Sequence, residues 1–326
     1  MGRLARTLFL LLGLSLLVVL VTQIDLAKVK AYLAEMGWAF PLIFLPYIAV
    51  YCCDTLGWRL AFGPSVSIGF HSLFLTRVAG EAINNITPFA YLGGEPVKAH
   101  LLTRFQIPII QGMAASIIAK LLISISQFFF VILGGMLALS HLVTRPDLLW
   151  PLILLVIVVG VLLTGLSYSL RVGLFTLLFR ALDRWNVTPS FMERWRAQLQ
   201  QLDETIVEFG RRYPSHLFLS WGLHFLGWAL GTLEVLAIFY AVGIPISLAE
   251  AMGIEALAGV VKAVAFFIPG SLGIQDGGNV LLLTVFGYPS SLGLTFSLVR
   301  RMRELLWISL GLVVLLRHYG WRSGPV

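Results

Sequence analysis

Charge is what this chain has little of. Of its 326 residues only 12% are Asp, Glu, Lys or Arg, against about 25% in an ordinary soluble domain, and the mean hydropathy is +0.90. That excludes a water-driven core beneath a charged coat. Cysteine is nearly absent. Cys52 and Cys53 are adjacent within an apolar run, too close at Cα for relaxed disulfide geometry, so a disulfide framework is excluded and the two read as packing residues. The six histidines show neither an HExxH pattern nor clustering, and no GxxxxGK[ST] phosphate loop occurs. Neither a metal nor a cofactor is called for. The net charge of +7 is mostly arginine, and in so apolar a chain it reflects membrane orientation before any basic partner. Nucleic acid is not an expected partner.

What is present is a series of apolar runs. Six, at about 7–22, 39–62, 109–139, 149–170, 215–243 and 290–316, approach or exceed the roughly 20 residues that cross a bilayer. The first follows Arg3 and Arg6 but has no small-x-small cleavage site, so it reads as an uncleaved helix. With alternating crossings, Arg3, Arg6, seven arginines between 171 and 212, Arg317 and Arg322 fall on one side, and Lys28, Lys30 and Arg145 on the other. The positive-inside rule then places both termini and the 171–213 segment in the cytoplasm. That segment has apolar residues at helical spacing and reads as two amphipathic helices broken near Pro189, a surface linker lying against the headgroups. It is too short for a separate catalytic domain.

The stretches at about 64–107 and 245–289 are interrupted by Pro/Gly-rich centres and carry charges. They match each other at a constant offset of 181: Pro64 with Pro245, Pro88 with Pro269, Glu95 with Asp276, Phe105 with Phe286, Pro108 with Pro289, Gly112 with Gly293, Ser116 with Ser297 and Lys120 with Arg301. The units start from opposite sides, so the repeat is expected to be inverted, a plan common among secondary transporters. Each reads as a re-entrant hairpin. In the first, a helix of about 70–86 stops before Pro88 and a half-helix starts at Glu95; in the second, a helix of about 250–267 stops before Pro269 and Asp276 opens the next. An acid at a helix start caps free N–H groups. That structural role stands beside a functional one, in which the two half-helix starts meet an anionic headgroup. The expected fold is an all-α polytopic membrane protein, with about six full transmembrane helices plus two re-entrant helical hairpins forming an inverted repeat. It is one transmembrane domain over 1–326, with repeat units at about 64–139 and 245–316.

Lys120 and Arg301 each lie 12 residues past the proline that opens their crossing, about 18 Å along the axis and near the bilayer midplane. Arg300, Arg303 and Glu304 stand beside Arg301. Charges at that depth cost about 3 kcal/mol each even on a lenient scale. Glu304 is spaced to pair with Arg300 and Arg301, but one acid does not neutralise three arginines; Lys120 and Lys262 add positive charge, while Glu81, Glu95, Glu255 and Asp276 are available as partners across the repeats. A cation-rich cavity open to an outside anion is expected, with structural ion pairs alone as the alternative. Guanidinium forks match phosphate oxygens. Asp54 and Arg59 in the second crossing form a candidate pair, with Arg59 also able to snorkel to the cytoplasmic face. The candidate substrate-binding residues are Asn85, Glu95, Lys98, Lys120, Lys262, Asp276, Arg300, Arg301, Arg303 and Glu304; no catalytic residue is assigned.

The segments NNITPFAYLGGEPVKAHLL and FFIPGSLGIQDGGNVLLLTVFG, with the charged VRRMRELLW helix, resemble the signature regions of the flippase-like transmembrane family that includes the membrane part of bacterial lysylphosphatidylglycerol synthases. Asn85, Pro88, Gly94 and Glu95 fit the first signature, and Pro269, Gly270, Gly273 and Asp276 the second, with Ser271 in place of a glycine and Asp276 in place of the usual glutamate. The resemblance implies movement of polar lipids between leaflets. The synthase members carry a soluble aminoacyl-transfer domain, absent before Val326 here, so a stand-alone member is expected. The expected function is that of a lipid flippase or scramblase in the bacterial cytoplasmic membrane, with a phosphate-bearing lipid as partner and separately encoded lipid-synthesis enzymes behind it. The alternatives are a membrane-embedded lipid-modifying enzyme, with Glu95 or Asp276 as general base, and a small-anion transporter.

Overall fold

The computed structural model describes residues 25–64, 66–87, 93–185, 193–264 and 273–319, and every regular element among them is helical. Asp25 caps α1 (Leu26–Met36) by accepting the N–H groups of Ala27 and Lys28 at 3.0 and 3.3 Å. Pro41 has no N–H for an α ladder, and a 3-10 segment (Gly37–Phe44) leads into α2 (Pro46–Leu60). There follow α3 (Phe70–Ile86), α4 (Gly94–Leu102), α5 (Ile109–Leu137), the short α6 (Leu139–Leu142) and α7 (Pro146–Val172). Then come α8 (Leu174–Arg184), α9 (Arg196–Arg212), α10 (Pro214–Ala241), α11 (Leu248–Val264), α12 (Ile274–Val285) and α13 (Ser290–Val314).

Four stretches among the described residues are long and apolar enough to cross a membrane: Leu26–Leu60, α5, α7 and α10. The last three have 29, 27 and 28 residues, about 40 Å at 1.5 Å per residue, against a hydrocarbon core of about 30 Å. The crossing expected at 39–62 is thus part of a longer run that breaks at Pro41. Helix α13 has 25 residues but its charges keep it out of the apolar class. The expected first crossing at 7–22 lies outside the described residues. Helix α7 turns Trp150, Leu154, Ile157, Val161 and Leu162 outward, as a helix facing lipid does.

Helices α2 and α10 run antiparallel. Ser220 Oγ donates to the Gly57 carbonyl at 2.8 Å, and His224 lies one turn further on, against Asp54. Apolar clusters occupy the two ends of this pair. One contains Ile43, Val235, Ile238 and Phe239, together with Ile254, Leu283 and Phe296; the other contains Trp58, with Trp221 packed on it, and Leu102, Ile118, Ile206 and Phe209. Between them lie Tyr47, Tyr51 and Asp54 on α2 and His224 and Glu234 on α10. A polar layer therefore crosses the helix pair near its middle.

The 171–213 segment is more tightly held than a surface linker. Leu202, Ile206 and Phe209 of α9 are buried, because their spacing of three and four residues forms one apolar stripe. Asp203, also buried, reaches across to cap α8, accepting the N–H groups of Phe175 and Thr176 at 3.2 and 2.6 Å. Replacing Asp203 with Ala removes that cap and is expected to lower stability by about 1–2 kcal/mol, read as the shift in thermal unfolding in detergent. The expected break near Pro189 lies outside the described residues.

The 181-residue offset has direct structural counterparts. Pro108 and Pro289 are the N-caps of α5 and α13. A Cβ on Gly112 would meet Ala99 Cα at 3.1 Å, and one on Gly293 would meet Val280 Cα at 2.7 Å; Ala99 and Val280 are themselves 181 apart. The turns before both helices close alike, through Ile107 N–H to Leu102 O and Tyr288 N–H to Leu283 O. Gln106 and Gly287 hold the same left-handed position in those turns, a conformation natural for glycine and uncommon for glutamine.

Candidate functional site

Helix α4 begins where α3 lets it approach. A Cβ on Gly94 would stand 2.1 Å from the Gly80 carbonyl oxygen, so glycine is required there. The Gly94 N–H donates to Asn84 Oδ1 at 2.6 Å. Asn84, not Glu95, therefore satisfies the start of this half-helix, and the Glu95 carboxylate is released for other partners. It lies 2.8 Å from Lys98 Nζ and 3.5 Å from Lys120 Nζ, and Asn84 Nδ2 donates to it at 3.3 Å. Lys98 also donates to Glu81 at 3.0 Å.

The equivalent acid does both jobs. Asp276 Oδ2 accepts the Gly273 N–H at 2.9 Å, capping α12 from inside its first turn instead of opening it. The same carboxylate lies 3.0 Å from Arg301 Nη2 and accepts the Ser297 hydroxyl at 2.6 Å. The Glu95–Lys120 and Asp276–Arg301 pairs are thus the same contact in the two units.

The other candidates fall around these pairs. Lys262 donates to Glu304 at 2.7 Å, and Arg301 and Arg303 lie 3.7 and 3.8 Å from that carboxylate. Arg300 turns away from Glu304, to Glu255 and, at 3.3 Å, to Glu234. Arg303 also binds Glu234 and lies over the Tyr47 ring. Asn85 is not with Glu95: its amide donates to the Glu81 backbone carbonyl at 2.8 Å. The candidate Asp54–Arg59 pair does not form. Five residues along a helix is about 140° around it, so Arg59 is exposed while Asp54 binds Arg77 at 2.8 Å and His224 Nδ1 at 2.7 Å.

Glu234 and His224 had no part in the sequence expectation. Both are ionisable and stand inside the apolar run at 215–243, where Glu234 is the one residue of the Asp, Glu, Lys and Arg set, and an ionisable group at such a place is itself a signal of a buried partner. Their inclusion changes the electrostatics. Around Glu95, the cations Arg77, Lys98 and Lys120 face Asp54, Glu81 and Glu95. On the other side, Lys262, Arg300, Arg301 and Arg303 face Glu234, Glu255, Asp276 and Glu304. Both networks are formally neutral with His224 uncharged. The expected cation excess disappears, because its counter-charges come from other helices.

A pocket opens beside the first network, lined by Trp58, Arg77, Glu95, Lys98, Lys120 and His224 among others. Of the cations Lys120, Arg300, Arg301 and Arg303, it is Lys120 that lines it. Its void of ≈ 20 Å³ holds about one or two water molecules, so this conformation is closed to a headgroup.

A family model for the lysylphosphatidylglycerol synthase transmembrane region matches residues 6–312. Similar proteins include a UPF0104 membrane protein of Methanothermobacter thermautotrophicus, 27% identical over 280 residues that cover 82% of this chain and 81% of the relative. A UPF0104 membrane protein of Pyrococcus horikoshii is 22% identical over 334 residues, covering 96% of this chain and 97% of the relative. No solved structure matches the chain.

Proposed function

Because the chain belongs to the lysylphosphatidylglycerol synthase transmembrane-region family, we propose that this multi-pass membrane protein moves a phosphate-bearing lipid between leaflets, as a flippase or scramblase, with the headgroup passing along the polar layer between the two apolar clusters. The observation that carries this reading is the matched pair of contacts at the half-helix starts, Glu95–Lys120 and Asp276–Arg301. With Lys262, whose side chain is 31% exposed, their cations are the more open ones. The Lys120 and Arg301 side chains are 26% and 17% exposed, against 6% and 3% for Arg300 and Arg303. A phosphate takes the place of each carboxylate in turn, so that no cation is left bare during passage. Since the networks are neutral, the path is polar and charge-balanced instead of basic.

In this reading α3–α4 and α11–α12 are re-entrant hairpins entering from opposite faces, among six full crossings, with both termini and α8–α9 cytoplasmic. The 181-residue register supports it, as do the three apolar spans α5, α7 and α10 between the hairpins, since an odd number reverses direction. The hairpin tips, at 88–92 and 265–272, lie outside the described residues. The named relatives are archaeal, so the proposal does not require a bacterial cytoplasmic membrane.

The test is reconstitution into vesicles containing a labelled phospholipid, with labelled inorganic phosphate in parallel. Labelled lipid is expected to change leaflets, phosphate to stay outside, and mass spectra of the lipids to be unaltered. Phosphate uptake without lipid movement would replace the reading with an anion transporter. A chemically altered lipid would replace it with an enzyme, a reading favoured by the Asp54-held imidazole of His224.

A further inference from the structure

We propose that His224 is a proton-binding site that links occupation of the pocket beside Glu95 by an anionic headgroup to proton uptake. The proposal rests on the reading of that pocket as part of the headgroup path.

The tautomer follows from the partners. Asp54 accepts from Arg77 Nη2 at 2.8 Å through one oxygen and contacts His224 Nδ1 at 2.7 Å through the other. With the carboxylate serving as acceptor to the guanidinium and to the ring alike, Nδ1 carries the hydrogen of that bond and Nε2 keeps its lone pair. Nε2 is buried and has no hydrogen-bond partner, yet the ring lines a pocket with room for water. A buried acceptor left without a donor is unfavourable; Nε2 lies over Gly57, where a Cβ would stand 2.8 Å from it, and a proton there is balanced by an anion in the pocket that the ring lines.

The surroundings give that proton a consequence. The ionisable groups that share the pocket are Arg77 and Glu81 from α3, Glu95 and Lys98 from α4, and Lys120 from α5, with Asp54 of α2 against the ring itself. These are three cations and three carboxylates. With neutral His224 the pocket demands no anion; with a proton on Nε2 it has one excess positive charge. It then takes one singly charged anionic group, and a lipid phosphodiester has that charge. Two further donors without partners, the Trp58 indole N–H and the Ser116 hydroxyl, line the same pocket.

The second unit lacks this arrangement. Ser297, the counterpart of Ser116, spends its hydroxyl on Asp276, and the residue 181 before His224 is Ile43, buried in the apolar cluster. The feature therefore belongs to one half of the molecule and is not required by the repeat.

The experiment is calorimetric titration of the detergent-purified full chain with short-chain phosphatidylglycerol at pH 7, in buffers of different ionisation enthalpy, which counts protons bound per lipid. The wild type is expected to take up close to one proton per lipid bound. His224→Asn keeps an N–H for Asp54 and removes the titrating nitrogen, and is expected to take up none and to bind the lipid at least tenfold more weakly. Lipid binding without proton uptake by the wild type, or equal uptake by His224→Asn, overturns the proposal and leaves the headgroup reading in place. Absence of lipid binding at every pH, together with absence of lipid movement in vesicles, overturns both. Should His224→Asn not fold, nitrogen-15 spectra of the histidine-labelled wild type decide. One imidazole is expected to gain a proton when lipid is added, and a set of histidines unchanged by lipid overturns the proposal.

Discussion

Replacement of Glu234 with Ala is expected to destabilise the protein by about 3–5 kcal/mol, the largest effect of any single substitution in the polar layer. Glu234 is fully buried and holds both Arg303 and Arg300. Its removal leaves Arg303 with the more distant Glu304 at 3.8 Å, and an unpaired guanidinium in that surrounding is far more costly than the pair itself is favourable. The same physics predicts a rescue. Glu234→Leu combined with Arg303→Met removes both charges while Arg300 keeps Glu255, and the double variant is expected to recover most of the loss. Thermal unfolding in detergent checks both. If Glu234→Ala melts with the wild type, the neutral network is not what stabilises these helices, and an anion from outside must be supplying the counter-charge.

Arg301→Ala and Lys120→Ala are each expected to slow lipid movement in vesicles at least tenfold, about 1.4 kcal/mol in the barrier. Arg301→Lys keeps the charge and loses only the fork, and is expected to cost far less. Folding should survive, since alanine suits a helix interior. Asp276 keeps the Ser297 hydroxyl and the Gly273 N–H, and Glu95 keeps Lys98. Wild-type rates in both single variants and in the double variant, with unfolding temperatures unchanged, would reduce the two contacts to structural ion pairs.

Much of the fold was legible because it is local. The bounds of α3 fall at 70 and 86, and α5 and α13 start one residue after Pro108 and Pro289, since proline fixes its own backbone and has no N–H for the ladder. Glycine is legible for a similar reason: Gly112 and Gly293 mark where two helices touch backbone to backbone. The break at Pro41 was missed, although its cause is equally local, because the apolar run continues through it.

The site was legible only in part. That charges in apolar helices must be matched follows from the cost of burying them, and the paired positions of Glu95 with Lys120 and Asp276 with Arg301 follow from the repeat. Which partner each cation takes does not. Arg303 reaches Glu234 across 69 positions and His224 reaches Asp54 across 170, so the neutral balance arises only when α2, α10 and α13 pack together. The sequence by itself determined an all-helical chain in a membrane and the 181-residue register of its two related stretches, because spacing, proline and hydropathy act within a turn or two of helix. Tertiary structure alone decided that those charges cancel, that Asn84 caps α4 and that His224 faces a pocket, because ion pairs depend on distances between helices that no local pattern encodes.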